Sequence, residues 1–210
     1  MRSENSPDGR RRSFIEEARR RQIIAAAVEV ISEVGYQGAS LARIAKRAGI
    51  SKGVISYHFE GKDDLMTQLV IQLYVSGGEF VGAAVGKATG AREKMLAYLD
   101  ANLTFLDDNR DYVTALTEVV LSLRNPDGSL RFASSEGEGD IINPLIQILR
   151  DGQSAGEFGE FDPIMMAKAM RDTIDGAAGR FIREQDWDMR KYSAEVCRIF
   201  DLATRKGTDR

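Results

Sequence analysis

Apolar residues recur at intervals of three and four along most of the chain, the spacing that places them on one face of an α-helix. The clearest early stripe follows Phe14 and consists of Ile24, Ala27, Val28, Ile31 and Val34. The chain has no run with the apolar–polar alternation of a half-buried β-strand, and it has no internal repeat. The pattern therefore predicts an all-α fold of about nine helices.

Glycines and serines mark the helix boundaries in the first third of the chain. Gly35 should end the first helix, and Ser40 should cap a second helix that Gly49 ends after two turns. Ser51 should cap a third helix. These signals predict helices from Phe14 to Gly35, over Leu41–Ala48 and over 52–57, and a long fourth helix that begins at Gly61 and Lys62 and continues through Leu65, Leu69 and Leu73.

The rest of the chain also reads as helical. Asp162 and Pro163 form a clear start signal, because aspartate caps a helix and proline suits its first position. The predicted segments are a stripe of Met95, Leu99, Asn102, Leu103 and Leu106, a helix over 112–123, a loop over 126–140, a helix that Pro144 starts or kinks, a helix pair from Pro163, and a last helix over 189–203.

The second and third helices have the construction of a helix-turn-helix. Ile44, Ala45 and Ile55 should face inward, and Gly49 can take the left-handed conformation that a sharp turn requires. In such a unit the N-terminal part of the second helix enters the major groove of DNA. We expect Lys52, Gly53, Ser56 and Tyr57 to face the DNA. Ser40 and Lys62, at helix starts, are placed to hold phosphates, and Ser51 is a further candidate DNA-binding residue.

Charge is distributed in agreement with this expectation. The net charge of −3 divides into +5 over residues 1–62 and −8 over the remainder. A basic head on an acidic body indicates that the head alone has an anionic partner. The predicted organisation is a flexible basic arm over 1–12, a helix-turn-helix domain over 13–62 and a further domain over 63–205.

Composition narrows the remaining possibilities. The longest uncharged stretch, 65–78, is too short to span a bilayer, and the N-terminus has no apolar core for a signal peptide, so we expect a cytoplasmic protein. Cys197 is the only cysteine and is expected to be a small, buried apolar residue.

His58 is the only histidine and has no partner suited to a metal site or to catalysis. We expect it to cap the third helix and pack beside Phe59, with at most a DNA contact, and we expect no cofactor.

Residues 20–65 resemble the DNA-binding domain of the tetracycline-repressor family. The resemblance rests on "AAVEVISEVGYQGASLARIAKRAGISKGVISYHFEGKDDL", including its Ala-Gly-Ile-Ser turn, its His-Phe pair and Lys62. In one departure, Ser56 stands where the family usually has a tyrosine, and Tyr57 follows it. The resemblance implies a transcriptional regulator, most often a repressor, that binds palindromic double-stranded DNA as a homodimer and is released by a small molecule.

The resemblance also implies a ligand pocket between helices four and eight, and a four-helix interface between two copies. Candidate pocket residues are Leu69, Leu73, Tyr98, Asn102, Phe105, Leu116, Val119, Leu149, Met166 and Met170. Asn102 interrupts an apolar stripe and needs a partner if it is buried. Small residues of the eighth helix suggest close packing, and candidate interface residues are Ala169, Thr173, Gly176, Ala177, Arg180 and Ile199.

The sequence leaves other functions open. An architectural DNA-binding protein without a ligand would share the helix-turn-helix, and an enzyme would need a polar catalytic cluster, for which one histidine and one cysteine in unrelated segments offer little. In the regulator hypothesis the fourth helix is the one element that touches both head and body, so a ligand should act by tilting it.

Overall fold

The computed structural model describes residues 7–132, 138–184 and 186–207. In this part of the chain the helices are α1 Pro7–Gly38, α2 Leu41–Ala48, α3 Lys52–His58, α4 Lys62–Val85, α5 Gly90–Asp108, α6 Arg110–Ser122, α7 Glu138–Ser154, α8 Pro163–Ala178, α9 Arg180–Arg183 and α10 Met189–Thr204. Since α9 is a single turn, the predicted all-α fold of about nine helices is confirmed. None of the described helices is long and apolar enough to cross a membrane.

The first helix is longer than predicted at its start. It begins at Pro7, so residues 7–12 are helical rather than part of a flexible arm, and residues 1–6 lie outside the described range. Gly35 does interrupt it as expected. Its φ of 72° and ψ of 165° turn the chain out of the helix, and a positive φ of this size favours glycine. The last residues before Gly38 therefore form a separate turn.

The second half departs from the prediction mainly at α7. This helix begins at Glu138, so Pro144 lies inside it and does not start it, and the predicted loop over 126–140 ends earlier than expected. Residues 133–137 of that loop lie outside the described range. The start of α8 is as predicted, because the Asp162 carboxylate accepts the backbone N–H of Ile164 at 2.8 Å and of Met165 at 3.2 Å.

Two hydrophobic clusters organise the molecule. The head cluster joins α1–α3 through residues such as Ile31, Ile44 and Ile55, each fully buried. The body cluster joins α4, α5, α7, α8 and α10 through residues such as Leu99, Leu145 and Met170. The sequence predicted the inward face of the head correctly at Ile44, Ala45, Ile55 and Phe59.

Two helices, not one, belong to both clusters. The head cluster includes Leu65 and Leu69 from α4, and it also includes Ala115 and Val119 from α6 and Leu123 directly after α6. The first part of α6 belongs to the body cluster through Val113. The expectation that α4 alone links head and body is therefore wrong, because α6 packs directly along α1.

Candidate DNA-binding face and effector region

The α2–α3 unit is held in its sharp turn by backbone and cap interactions. Ser40 accepts the backbone N–H of Arg43 at 3.3 Å, which confirms it as the cap of α2. Gly49 adopts φ 67° and ψ 31°, and its N–H points back to the carbonyls of Ala45 and Lys46. This left-handed glycine ends α2 and directs the chain into α3.

One face of α3 lies open to solvent. Lys52, Gly53, Ser56 and Tyr57 are exposed on it, and the Tyr57 side chain is 74% exposed. A Cβ built on Gly53 would meet only the Ser51 hydroxyl oxygen, at 3.6 Å. Packing within the chain therefore does not require glycine at this position. A glycine on an open helical face suits the close approach of another molecule.

The end of α3 is built differently from the prediction. The cap is Phe59, whose backbone N–H donates to the Ile55 carbonyl at 2.9 Å, and the His58 side chain does not serve as a cap. The His58 ring instead meets the Tyr57 ring edge-on, with 5.0 Å between the centroids. Arg20 of α1 donates to the His58 carbonyl and lies over the Phe59 ring. Sequence reasoning missed Arg20, which no local pattern connects with residues 38 positions away.

Ser51 and Lys62 occupy helix starts, as predicted, and their side chains have different surroundings. Ser51 stands at the N-cap position of α3 without a side-chain capping hydrogen bond. The Lys62 ammonium donates to the Tyr36 carbonyl at 2.6 Å and lies 4.1 Å from the centre of the Tyr36 ring. Burial lowers the pKa of Lys62. Lys62 therefore stabilises the end of α1, and its contact with a phosphate stays a prediction.

Glu118 of α6 binds the backbone of Tyr36, the residue that Lys62 also contacts. Its carboxylate accepts the Tyr36 backbone N–H at 2.6 Å. A side chain of α6 thus binds the backbone N–H of Tyr36, and a side chain of α4 binds its carbonyl. We refer to this arrangement of Glu118, Tyr36 and Lys62 as the Tyr36 clamp. Sequence reasoning missed Glu118, since a glutamate on an amphipathic helix normally faces solvent.

The candidate pocket residues divide between the clusters. Leu69 and Val119 are fully buried in the head cluster, away from the body in which they were expected. Leu116 is half-buried against both clusters. The remaining seven lie in or along the body cluster: Leu73, Tyr98, Asn102, Phe105, Leu149, Met166 and Met170. Of these, Phe105 reaches α4, where its ring would lie 3.1 Å from a Cβ on Gly77.

Asn102 has the partners that its place on an apolar stripe requires. Its amide nitrogen donates to the Tyr98 carbonyl at 2.7 Å, and its amide oxygen lies 3.4 Å from Nη1 of Arg171. The Arg171 side chain is only 16% exposed, and it is paired with Asp175 one turn further along α8. Burial raises the pKa of Tyr74 on α4 and of Tyr98 on α5, and the Arg171 charge offsets part of each rise. We call these five side chains the Arg171 cluster.

The candidate interface residues mostly lie on the surface. Ala169, Gly176, Arg180 and Ile199 are exposed and Thr173 is half-buried. Nothing lies within 4 Å of a Cβ built on Gly176. Ala177 is the exception, because it is fully buried in the body cluster of its own chain and has no surface to offer a second copy.

Two open clefts lie outside the predicted pocket. One, of about 520 Å³, is formed by the start of α4 and the Arg131 side chain, which donates to the Thr67 hydroxyl. The other, of about 550 Å³, contains Trp187 and Tyr192 with the carboxylates of Glu184, Asp186, Asp188 and Glu195. Lys191 also lines the second cleft and offsets part of its negative charge.

Known proteins with similar sequences are bacterial regulators. Residues 23–69 match the family described as "Bacterial regulatory proteins, tetR family". The fatty acid metabolism regulator protein of Bacillus subtilis (strain 168) is 30% identical over 182 residues, which cover 85% of this chain and 91% of that protein. The HTH-type transcriptional regulator BetI 1 of Chromohalobacter salexigens is 38% identical over 111 residues, covering 52% of this chain and 55% of BetI 1.

The fold is likewise similar to that of a regulator with a bound ligand. The crystal structure of FadR from Bacillus subtilis in complex with stearoyl-CoA superposes with a TM-score of 0.70 at 28% identity. The match covers 85% of this chain and 96% of FadR. The likeness thus includes the body as well as the head.

The Tyr36 clamp gives a prediction about stability. Replacing Glu118 by alanine leaves the Tyr36 N–H without its acceptor, which should lower the free energy of unfolding by about 1–3 kcal/mol. Glu118→Gln keeps an amide oxygen that can accept the same bond, and should cost less. Urea denaturation at neutral pH measures both.

Glu29→Ala is the matched control, since Glu29 forms an exposed pair with Arg47 in the same head. Such surface pairs contribute only about 0–1 kcal/mol. Equal losses for Glu118→Ala and Glu29→Ala would show that the clamp adds nothing.

Proposed function

Because the chain belongs to the tetR family of bacterial regulatory proteins, we propose that this transcriptional regulator is a repressor that binds a palindromic operator as a homodimer and is released by a small molecule. The observation that carries the proposal is the open face of α3 on a firmly packed helix-turn-helix. Lys52, Ser56 and Tyr57 supply a charge, a hydroxyl and an aromatic hydroxyl there, and Gly53 allows close approach.

DNA recognition would follow the geometry of helix-turn-helix dimers. Each α3 lies in a major groove, and the two half-sites are about one helical turn apart or somewhat more, roughly 34 Å. Side chains of α3 read base edges, and the starts of α2 and α4 lie near phosphates. Tyr57, directly after Ser56, takes over the contact that the family usually makes with a tyrosine one position earlier.

Dimerisation would use α8 and α10. Met165 on α8 and Ile199 and Leu202 on α10 are large apolar side chains that are 61%, 52% and 49% exposed. Exposed apolar side chains of this size on neighbouring helices favour burial against another surface. Gly176, with open space around its α-carbon, would let the two α8 helices approach closely.

The effector would bind in the body, between α4, α5 and α8. The FadR structure, similar over most of the chain, contains stearoyl-CoA, which is precedent for an effector with a long apolar part. The pocket residues of the body cluster are largely apolar and thus suited to such a ligand. Ligand binding would displace α4 and α6, and the Tyr36 clamp would transmit both movements to α1 and so to the spacing of the two α3 helices.

Two alternatives lead to different observations. An architectural DNA-binding protein would bind operator DNA but show no small-molecule response. An enzyme would turn over a substrate, and the relatives that cover most of this chain are regulators rather than enzymes. Thermal unfolding with a library of small molecules separates the first alternative from the proposal, because a ligand of the folded state must raise its stability.

The open face of α3 predicts the effect of two substitutions. Lys52→Ala and Tyr57→Ala should each weaken binding to a selected operator duplex and change its sequence preference, because both side chains are exposed and face the groove. Fluorescence anisotropy at several salt concentrations measures affinity and its salt dependence. Lys87→Ala, the same charge change just beyond α4, is the control, and equal effects of Lys52→Ala and Lys87→Ala would contradict the proposed face.

The open space at Gly176 predicts the effect of a larger side chain. Gly176→Leu should leave the monomer folded, since nothing in its own chain lies within 4 Å of the new Cβ. It should nevertheless separate two copies that meet at this residue, and most operator affinity should be lost with the dimer. Sedimentation velocity and circular dichroism measure assembly and fold.

Gly82→Leu is the matched control, because Gly82 is also helical and equally open but lies on α4. A Gly176→Leu protein that sediments as a dimer would place the interface elsewhere.

The proposed switch predicts reciprocal coupling. If an effector weakens operator binding by a given factor, the operator must weaken effector binding by the same factor. Glu118→Gln should reduce that factor without removing either binding event, since it weakens only the link between α6 and α1. Calorimetric titration of the effector with and without operator measures the coupling. Equal effector affinities in wild-type protein would mean that the two sites are independent.

A further inference from the structure

The Arg171 cluster combines side chains from three helices around one partly buried cation. Arg171 comes from α8, Tyr98 and Asn102 from α5, and Tyr74 from α4. Burial would lower the pKa of Arg171, but the hydrogen bonds and charge of Asp175 outweigh it and hold the pKa above its usual value. The guanidinium therefore remains charged beside the body cluster, where isolated charge is costly.

The Arg171 cluster has more hydrogen-bond donors than acceptors. A guanidinium carries five N–H groups, and the Tyr98 hydroxyl lies close enough for the Arg171 charge to offset part of the rise in its pKa that burial causes. Nε of Arg171 is 3.0 Å from each oxygen of Asp175, and Nη2 binds the same carboxylate, while Nη1 makes a 3.4 Å contact with the Asn102 amide oxygen. The Tyr98 hydroxyl makes a long bond of 3.3 Å to the Ile141 carbonyl. Such an arrangement is suited to an oxyanion, which accepts several hydrogen bonds at once.

Asp175 is the solvent-exposed partner of the guanidinium in this arrangement. Its side chain is 57% exposed, whereas that of Arg171 is only 16% exposed. Displacing Asp175 would cost its hydrogen bonds to the guanidinium, but an incoming oxyanion can replace them and water can solvate the released carboxylate. A ligand oxyanion could therefore take its place on the guanidinium while Asp175 turns towards solvent.

The surface next to the cluster is apolar. Along α4, Ile71, Tyr74 and Val75 are 46%, 46% and 54% exposed, and Gly78 one turn further has open space around it. On the inner side, Phe105 lies against Gly77. A molecule bound through the cluster would thus have apolar surface available for the rest of its length.

We propose that the Arg171 cluster binds the oxyanion of an amphiphilic effector, a carboxylate or phosphate joined to an apolar tail, and that Asp175 is an internal competitor for the same guanidinium. This inference rests on the proposed effector region and specifies its chemistry. The tail lies along the apolar face of α4, so the ligand joins α8 to the helix that continues into the head.

The test uses the full chain and four probes with the same tail. Decanoate, decyl phosphate, decan-1-ol and decylamine are titrated by calorimetry below their micelle-forming concentrations. One or both anions should bind about tenfold or more tightly than the alcohol, and the amine should bind most weakly. A preference between decanoate and decyl phosphate identifies the source of the oxyanion. The proposal is overturned if the alcohol binds as well as both anions, or if no anion binds saturably.

Two variants, each with a matched control, test whether the preference for anions depends on the Arg171 cluster. Arg171→Met should remove the preference for anions over the alcohol, whereas Lys168→Met, the loss of an exposed cation on the same helix, should preserve it. Asp175→Asn should tighten anion binding about tenfold, because it removes the competing charge. Asp172→Asn, the same change on an exposed residue one turn earlier, should not. The Asp175 variant tests the proposal even if Arg171→Met fails to fold, and an unchanged or weaker anion affinity in it would overturn the competitor role.

Operator release is measured separately for each probe. Anion binding that depends on Arg171 but leaves the operator bound would support this inference and contradict the ligand-responsive function. Release by a neutral or cationic compound, with no anion bound, would support that function and overturn the inference.

Discussion

The position of the DNA-binding head depends on how one residue, Tyr36, is held. Gly35 breaks α1 immediately before it, so the Tyr36 backbone groups have left the helix and need new partners. Glu118 of α6 accepts its N–H and Lys62 of α4 donates to its carbonyl. Because these partners come from two helices that enter the body, movement of either helix alters the same backbone segment. The head is oriented by hydrogen bonds as well as by apolar packing.

The parts of the structure that could be predicted from sequence are those set by neighbouring residues. The two ends of α2 follow from Ser40 and Gly49, and the start of α8 follows from Asp162 and Pro163, because caps and turn glycines act within a few positions. The start of α1 was misjudged. Its first residues carry charge and a proline, which suggest an arm, but proline is tolerated in a first helical turn.

The candidate site was predictable in its DNA-facing half and less so in the body. Exposure of Lys52 and Tyr57 follows directly from the period of α3, whose other face is buried. The division of pocket residues between head and body clusters depends on how far α4 and α6 extend past each other, which periodicity does not encode. The same holds for contacts such as Glu118 with Tyr36 and Arg171 with Asn102, which join residues 82 and 69 positions apart. The amide of Asn102 on an otherwise apolar stripe was the one local sign of such a contact.

The composition of the head cluster limits how this protein can be recombined with its relatives. A segment cut after residue 62 would lack the α4 side chains Leu65 and Leu69. It would also lack Ala115 and Val119 of α6 and Leu123 directly after it, which complete the core beneath α1. It would expose that core to water and leave the Tyr36 N–H without its acceptor, the Glu118 carboxylate. Chimeric regulators that exchange specificity would therefore have to carry α6 together with the first four helices, although more than twenty residues of α5 and its connections separate them in the chain. Exchanging the DNA-binding head between such proteins therefore requires two separate gene segments, not one.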